Sequence, residues 1–376
     1  MGLGGRVAHP RSSPARARTH GVGRRDRRER RHRRRGARHP PRVPHGDRRR
    51  RGGREAVPVQ RVLRTDARDR PGGTVTGAGR FAPSPSGDLH IGNLRTALLA
   101  WLFARKSGRD FLLRIEDLDD RTSSEVAQRQ IDDLTAIGLD FDGKPVVQSE
   151  RRKIYDAVIE QLTAAGRTFE CFCTRKEILS APRAPHSPPG AYPGTCRDLT
   201  ADEVHERRGL GRPPAIRLRS DVTQFTIRDD LCGEFTGVVD DFVLRRGDGV
   251  AAYNLAVVVD DADSDIDQVV RADDLLSSTP RQAYLAQVLD RPIPSYAHVP
   301  LVLNTFGTRL AKRDGAVTLA SLASIGVSAD RVRAQLAGSL GLGDGSETPD
   351  SATLLARFDP ARIPAGPWIL DPVDLL

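Results

Sequence analysis

Several groups of residues in this chain have types and spacings that suit chemistry. His90-Ile91-Gly92-Asn93 follows a strand-like Arg80-Phe81-Ala82-Pro83 and a Pro/Gly-rich turn, Pro83-Ser84-Pro85-Ser86-Gly87, and opens an apolar helical pattern. Backbone N–H groups at a helix N-terminus attract phosphate; Gly92 lets the backbone come close and His90 can donate to a phosphate oxygen. Cys171, Cys173 and Cys196 offer three thiolates within 26 residues. With one more oxygen or nitrogen such a set closes a tetrahedral zinc site, and His186 in the intervening Pro-rich loop is one candidate for it. The fourth cysteine, Cys232, has no partner nearby and reads as a packed core thiol. The aspartates at 260, 261, 263, 265 and 267 could hold a divalent ion, but as a charge run they read better as a solvated loop.

The elements that must position these groups alternate. A helix is predicted from Ile91 to Lys106, with Leu94, Ala97, Leu98, Trp101 and Leu102 on one face. An apolar strand, Phe111–Ile115, follows, then helices near 124–137 and 150–165. Strand, helix, strand is the pattern of a parallel α/β sheet. Residues 169–250 change character. They carry the cysteines, a Pro-rich loop at 182–193 and β-like runs at 215–218, 225–227 and 242–245, and they read as an insertion. The α/β pattern resumes with a helix near 253–259, a strand at 268–271, a helix near 279–289 and a strand at 299–303. A helical tail runs from about 328 to 340. The expected organisation is therefore a head at 1–74, a catalytic half at 75–168, the insertion at 169–250, a second half at 251–325 and a C-terminal tail at 326–376.

The net charge of +10 over 376 residues hides two unlike pieces. Residues 1–70 hold 24 Arg and 6 acidic residues, a charge of +18, so the remainder carries −8. Runs such as Arg31-His32-Arg33-Arg34-Arg35 have no apolar periodicity, and the head is expected to be disordered. Three readings of it stay open: an electrostatic RNA-binding arm, an organellar transit peptide, or translated sequence upstream of the true start, since Met1 is the sole methionine and Val75 precedes the first strand. No apolar run approaches the ~18 residues of a membrane span, and the charged N-terminus lacks a secretory signal's apolar stretch. Sparse cysteines fit a cytoplasmic chain better than a disulfide scaffold.

The segment from Arg80 to Asn93 resembles the HIGH-motif signature of class I aminoacyl-tRNA synthetases of the glutamyl type. Arg114-Ile115-Glu116-Asp117-Leu118-Asp119, the run Tyr253–Asp261, and Arg271-Ala272-Asp273-Asp274 resemble three further blocks of that family. Arg309-Leu310-Ala311-Lys312-Arg313 is similar to its KMSKS loop. The blocks stand in family order over about 79–325. The resemblance implies a doubly wound Rossmann-type parallel sheet, an α/β fold with a zinc-bearing α+β insertion. It implies activation of L-glutamate by ATP, Mg2+ accompanying the nucleotide. It places His90, Gly92, Asn93 and Lys312 at the ATP, with His90 and Lys312 catalytic. It places Arg80, Phe81, Ala82, Pro83, Ser84, Glu116, Tyr253 and Arg271 at the glutamate: the arginines for two carboxylates, Glu116 for the ammonium, and Tyr253 and Ser84 as hydrogen-bond partners. Three departures stand out. Asn93 replaces the second His of the full motif, Arg309 the first Lys of the loop, and Ala311 its Ser.

The pattern Cys-x-Cys…Tyr-x-x-x-Cys is similar to the zinc site of the glutamyl-Q tRNA(Asp) branch, which implies Cys171, Cys173, Tyr192 and Cys196 as ligands. After Arg313 only 63 residues remain, short of a typical domain of ~100–150 residues, so an anticodon-binding domain is not expected. Both features point to glutamate transfer onto the queuosine base at the wobble position of tRNA-Asp, by a monomer without membrane association. A truncated glutamyl-tRNA synthetase charging a 3′ end and a catalytically dead RNA-binding paralogue are the alternatives.

Overall fold

The computed structural model describes residues 77–181, 191–309 and 317–375. The Arg-rich head, His186, Ala311 and Lys312 lie outside the described residues.

The described chain opens on β1 (Ala78–Phe81), buried at all four positions, as befits a parallel strand covered on both faces. The Pro/Gly turn leads into α1 (Ile91–Lys106), with the predicted boundaries. This helix is buried nearly all round, the signature of a helix inside a core rather than on its surface. Next come β2 (Asp110–Ile115), α2 (Ser124–Ala136), β3 (Val146–Val147) and α3 (Arg152–Ala164). The predicted insertion supplies β4 (Thr168–Cys171), α4 (Arg175–Ser180), α5 (Ala201–Gly209), β5 (Ala215–Leu218), β6 (Gln224–Asp229), β7 (Gly233–Val238) and β8 (Val243–Arg245). The second half holds α6 (Tyr253–Asp263), β9 (Ile266–Ala272), α7 (Thr279–Val288), β10 (Ser295–Val299) and β11 (Val302–Asn304). The chain closes with α8 (Leu319–Ala323), α9 (Ala329–Ser339), α10 (Ser351–Arg357) and β12 (Trp368–Leu370).

Seven strands form one sheet in the order β3-β2-β1-β9-β10-β6-β7. Its neighbours are parallel except the antiparallel β6–β7 hairpin. The connections run outward one way from β1 and the other way from β9. The crevice at the carboxyl ends of these two strands is thus the topological switch point, where open α/β sheets bind ligands. Among the described residues no helix is long and apolar enough to cross a membrane.

Four expectations need correction. The stretch 169–250 is not one self-contained insertion: β4, β5 and β8 form a separate three-stranded sheet, but the β6–β7 hairpin docks on β10 and extends the main one. The strand expected at 299–303 is two strands, β10 and β11, interrupted at Pro300-Leu301, because proline has no N–H for a ladder. The C-terminal segment is more than a helical tail. Its β12 pairs with β11, Phe358 meets Phe103 of α1 edge to face at 5.3 Å, and Leu336, Leu354 and Leu370 are buried in the same core as α1. Cys232 is exposed rather than packed, since it sits in the tight turn joining β6 to β7.

Candidate active site

A cavity of about 580 Å³ opens at the β1–β9 crevice. Every site residue expected from the HIGH-like segment, with Glu116, Tyr253 and Arg271, lines it. The strands contribute through their carboxyl ends or the turns after them: Arg80 and Phe81 end β1, Glu116 follows β2, and Arg271 is the penultimate residue of β9, while Tyr253 opens α6. The turn Ala82–Gly87 is fixed from two sides. Glu116 N–H donates to Pro83 O at 3.0 Å. The Gln130 amide on α2 donates to Ser84 O at 3.1 Å and to Gly87 O at 2.6 Å.

His90 is the N-cap of α1. Its Nδ1 accepts the Asn93 N–H at 3.3 Å, and the Asn93 carboxamide oxygen accepts the His90 N–H at 3.2 Å. This reciprocal box satisfies backbone donors that a helix start leaves over. It gives Asn93 a structural reason to stand where a second His was expected. With Nδ1 accepting, a neutral His90 carries its proton on Nε2, the nitrogen that can donate to an anion. A Cβ at Gly92 would come within 2.9 Å of the His90 ring, so glycine is what leaves that ring its place.

Arg80 is embedded in an alternating chain of charges. Its Nε donates to Asp261 Oδ1 at 3.1 Å. The same oxygen takes Arg114 Nη1, and Arg114 Nη2 reaches Glu116 Oε1 at 3.2 Å. Burial opposes the charge on Arg114, yet Asp261 and Glu116 raise its pKa above the usual guanidinium value. Burial pushes the Glu116 carboxyl up, against the pull of Arg114 and Arg80. Beneath this chain Asp260, fully buried, accepts from Gln148, Arg151 and Tyr155. Asp260 and Asp261 therefore belong to a buried helix and an ion-pair network, not to the solvated loop expected from the charge run. Helix α6 packs its acidic end inward because β1, β2 and the turn before α3 supply Arg80, Arg114 and Arg151.

Arg271 has different company. Nε donates to His298 Nε2 at 3.1 Å, Nη2 to Thr279 Oγ1 at 2.8 Å and Nη1 to Tyr253 OH at 3.3 Å. Arg271 is 5% exposed, and among the described residues no carboxylate forms an ion pair with it. At the rim Arg309, the residue standing for the loop's first Lys, pairs with Asp274. The sequence reading missed Gln130, Asp274, His298 and Thr279. A signal existed for two of them: Gln130 interrupts the apolar face of α2, and His298 interrupts an apolar strand.

In the insertion, Cys171, Cys173 and Cys196 bring their sulfurs within 4.8 Å of one another without a disulfide. The Tyr192 hydroxyl lies 3.4 Å from Cys171 Sγ and accepts the Cys196 N–H at 2.7 Å. Burial, with the neighbouring sulfurs adding to it, pushes the Cys173 thiol up to about 12. A divalent cation reverses that logic, because a coordinating thiol is deprotonated outright. The donor set fits a metal.

Comparison with known proteins gives the family and agrees with the fold. Residues 78–330 match the family tRNA synthetases class I (E and Q), catalytic domain. A glutamyl-Q tRNA(Asp) synthetase of Nocardia farcinica is 63% identical over 303 residues, covering 81% of this chain and 96% of that one. A glutamate–tRNA ligase of Nitrosospira multiformis is 40% identical, covering 79% of this chain and 64% of that one. Among solved structures, the glutamate tRNA ligase of Elizabethkingia meningosepticum in complex with its amino acid superposes with a TM-score of 0.68 at 26% identity, covering 80% of this chain and 68% of that one.

Proposed function

The chain belongs to the class I tRNA synthetases of the E and Q type, and from that premise we propose that it activates L-glutamate with ATP and transfers it to the queuosine base at the wobble position of tRNA-Asp. The observation that carries the amino acid is Arg271: a buried guanidinium facing the cavity whose hydrogen-bond partners among the described residues are all neutral, in the same wall system as the anionic Glu116. Such a site calls for a ligand with a free carboxylate and an ammonium. The identity of 63% to a glutamyl-Q tRNA(Asp) synthetase, against 40% to a glutamate–tRNA ligase, supports the acceptor.

Glutamate is ionised at pH 7, so its α-carboxylate attacks the α-phosphate without a strong base, and pyrophosphate leaves. Catalysis is then positioning and charge neutralisation. In this reading Arg80 and Arg271 take the two carboxylates, Glu116 the ammonium, and Tyr253 and Ser84 hydrogen-bond the substrate, with Phe81, Ala82 and Pro83 shaping the wall. His90, Gly92 and Asn93 present the α1 N-terminus to the ATP phosphates, Mg2+ accompanies ATP, and Lys312 neutralises the charge that grows on pyrophosphate. An acceptor hydroxyl next attacks the glutamyl carbonyl and AMP leaves. The cyclopentene-diol of queuosine mimics the 2′,3′-diol of a terminal ribose, so the same chemistry serves it. Zn2+, held by Cys171, Cys173, Tyr192 and Cys196, would be structural, closing the insertion. We place the protein in the cytoplasm, working as a monomer.

The test is glutamate transfer by the full chain to queuosine-containing tRNA-Asp from which the 3′ adenosine has been removed. Charging of this tRNA, and none of the same tRNA lacking queuosine, is expected. Charging of unmodified tRNA-Glu alone would replace the proposal by 3′-end aminoacylation.

A further inference from the structure

Arg271 and His298 are direct partners across the parallel pair β9–β10. His298 is 1% exposed and Asp229, at the end of β6, is 2% exposed. The Asp229 carboxylate accepts the His298 N–H and faces His298 Nδ1. It also accepts the Leu231 and Cys232 N–H groups at 3.0 and 2.9 Å. An ionised carboxylate only accepts, so the imidazole must donate from Nδ1. That leaves Nε2 as the acceptor that Arg271 Nε requires. Thr279, fully buried, accepts Arg271 Nη2 and lies 3.0 Å from the same Nε2.

We propose that Asp229, His298 and Thr279 are the positioning set of Arg271: they fix the orientation of its guanidinium through neutral acceptors and so leave its countercharge to be supplied by a carboxylate of the substrate. Asp229 acts at one remove, by choosing the tautomer of His298. None of the three touches the cavity, so they act through Arg271. Burial lowers the pKa of His298, with the hydrogen bond to Asp229 opposing it. Asp229 is held down at about 2 despite burial, by that hydrogen bond and by the hairpin N–H groups. The neutral imidazole beside an ionised carboxylate is therefore the pair present at neutral pH. The set also explains why the β6–β7 hairpin leaves the insertion to dock on β10: it delivers Asp229.

The inference rests on the glutamate reading, and the experiment separates the two. The full chain is assayed by ATP–pyrophosphate exchange, measuring KM for glutamate and for ATP independently. His298→Leu removes the acceptor, His298→Gln retains one, and Thr279→Val removes a hydroxyl at constant shape. Hydrogen bonds to a charged group are worth ~1.5–3 kcal/mol, so the glutamate KM should rise about 10–100-fold in His298→Leu and several-fold in Thr279→Val. The ATP KM should stay within about twofold, and His298→Gln should recover most of the loss. An unchanged glutamate KM in folded His298→Leu or Thr279→Val overturns the proposal. So does a parallel rise of both KM values, or equal impairment of the Leu and Gln variants. A wild-type protein without glutamate-dependent exchange would sink the glutamate reading itself.

Discussion

Arg80 and Arg271 end neighbouring strands and line one cavity, yet they are held by opposite means. Arg80 is one link in a chain of alternating charges, Arg80–Asp261–Arg114–Glu116, in which each ion has a counterion of the protein's own. Arg271 is as deeply buried, but an imidazole, a threonine hydroxyl and a tyrosine hydroxyl hold it. The first arrangement balances itself before any ligand arrives. The second is balanced only when an anion binds, because burying a charge without a partner is costly. Two arginines of equal burial thus carry different information: the self-paired one meets its ligand from a frame already balanced in charge, the unpaired one marks a charge that the ligand must bring.

The sharpest way to break this contrast is to remove the anion shared on the Arg80 side. Asp261→Asn leaves two buried guanidiniums without their common counterion and should cost about 3–5 kcal/mol in urea unfolding. Arg271→Gln deletes a cation with no carboxylate partner and should change stability far less while abolishing glutamate saturation. Equal stability losses would erase the distinction. Lys312→Ala sharpens it from the phosphate side: exchange should fall about 10²–10³-fold, the size of one transition-state contact, with the glutamate KM nearly unmoved. A rise in that KM would place Lys312 with the amino acid instead.

Cys173→Ser should release about one zinc per chain by elemental analysis and loosen the insertion to proteolysis, since a closed metal site carries folding energy. The catalytic sheet should keep its exchange activity better than its insertion keeps its fold. Absence of zinc from unchelated wild-type protein would remove this prediction. The smallest effect belongs to Asp133 on α2, an anion with like-charged neighbours. Burial, then Asp88 and Asp132, raise its pKa to about 6. A carboxyl raised in the folded state favours folding at low pH, and that contribution is lost as pH climbs from about 4 through 6. Asp133→Asn should therefore stabilise the protein modestly at pH 8 and not at pH 4. A gain of the same size at both would show that Asp133 is not perturbed.

What could be read from the sequence follows the range of the forces involved. The strand–turn–helix at 78–106 was legible because apolar periodicity, Gly/Pro punctuation and the cap are local. The residues of the cavity wall were legible because they lie in short blocks of fixed spacing. Asp260 and Asp261 were misread, because a charge run reveals its burial only through Arg80, Arg114 and Arg151, more than a hundred positions away. Asp229 and His298, 69 positions apart, escaped for the same reason: their pairing depends on a hairpin leaving its own segment to join the main sheet. Cys232 was misjudged because burial follows from where a turn lands, not from residue type.

The most direct measurement is ATP–pyrophosphate exchange by the full chain with glutamate, glutamine and aspartate compared, each with and without tRNA. With Arg80 and Arg271 in one cavity, each assigned to one carboxylate, the account predicts exchange with glutamate and at most traces with glutamine, whose size matches but whose side-chain charge is missing. Equal exchange with glutamine, or none with glutamate under either condition, would contradict it.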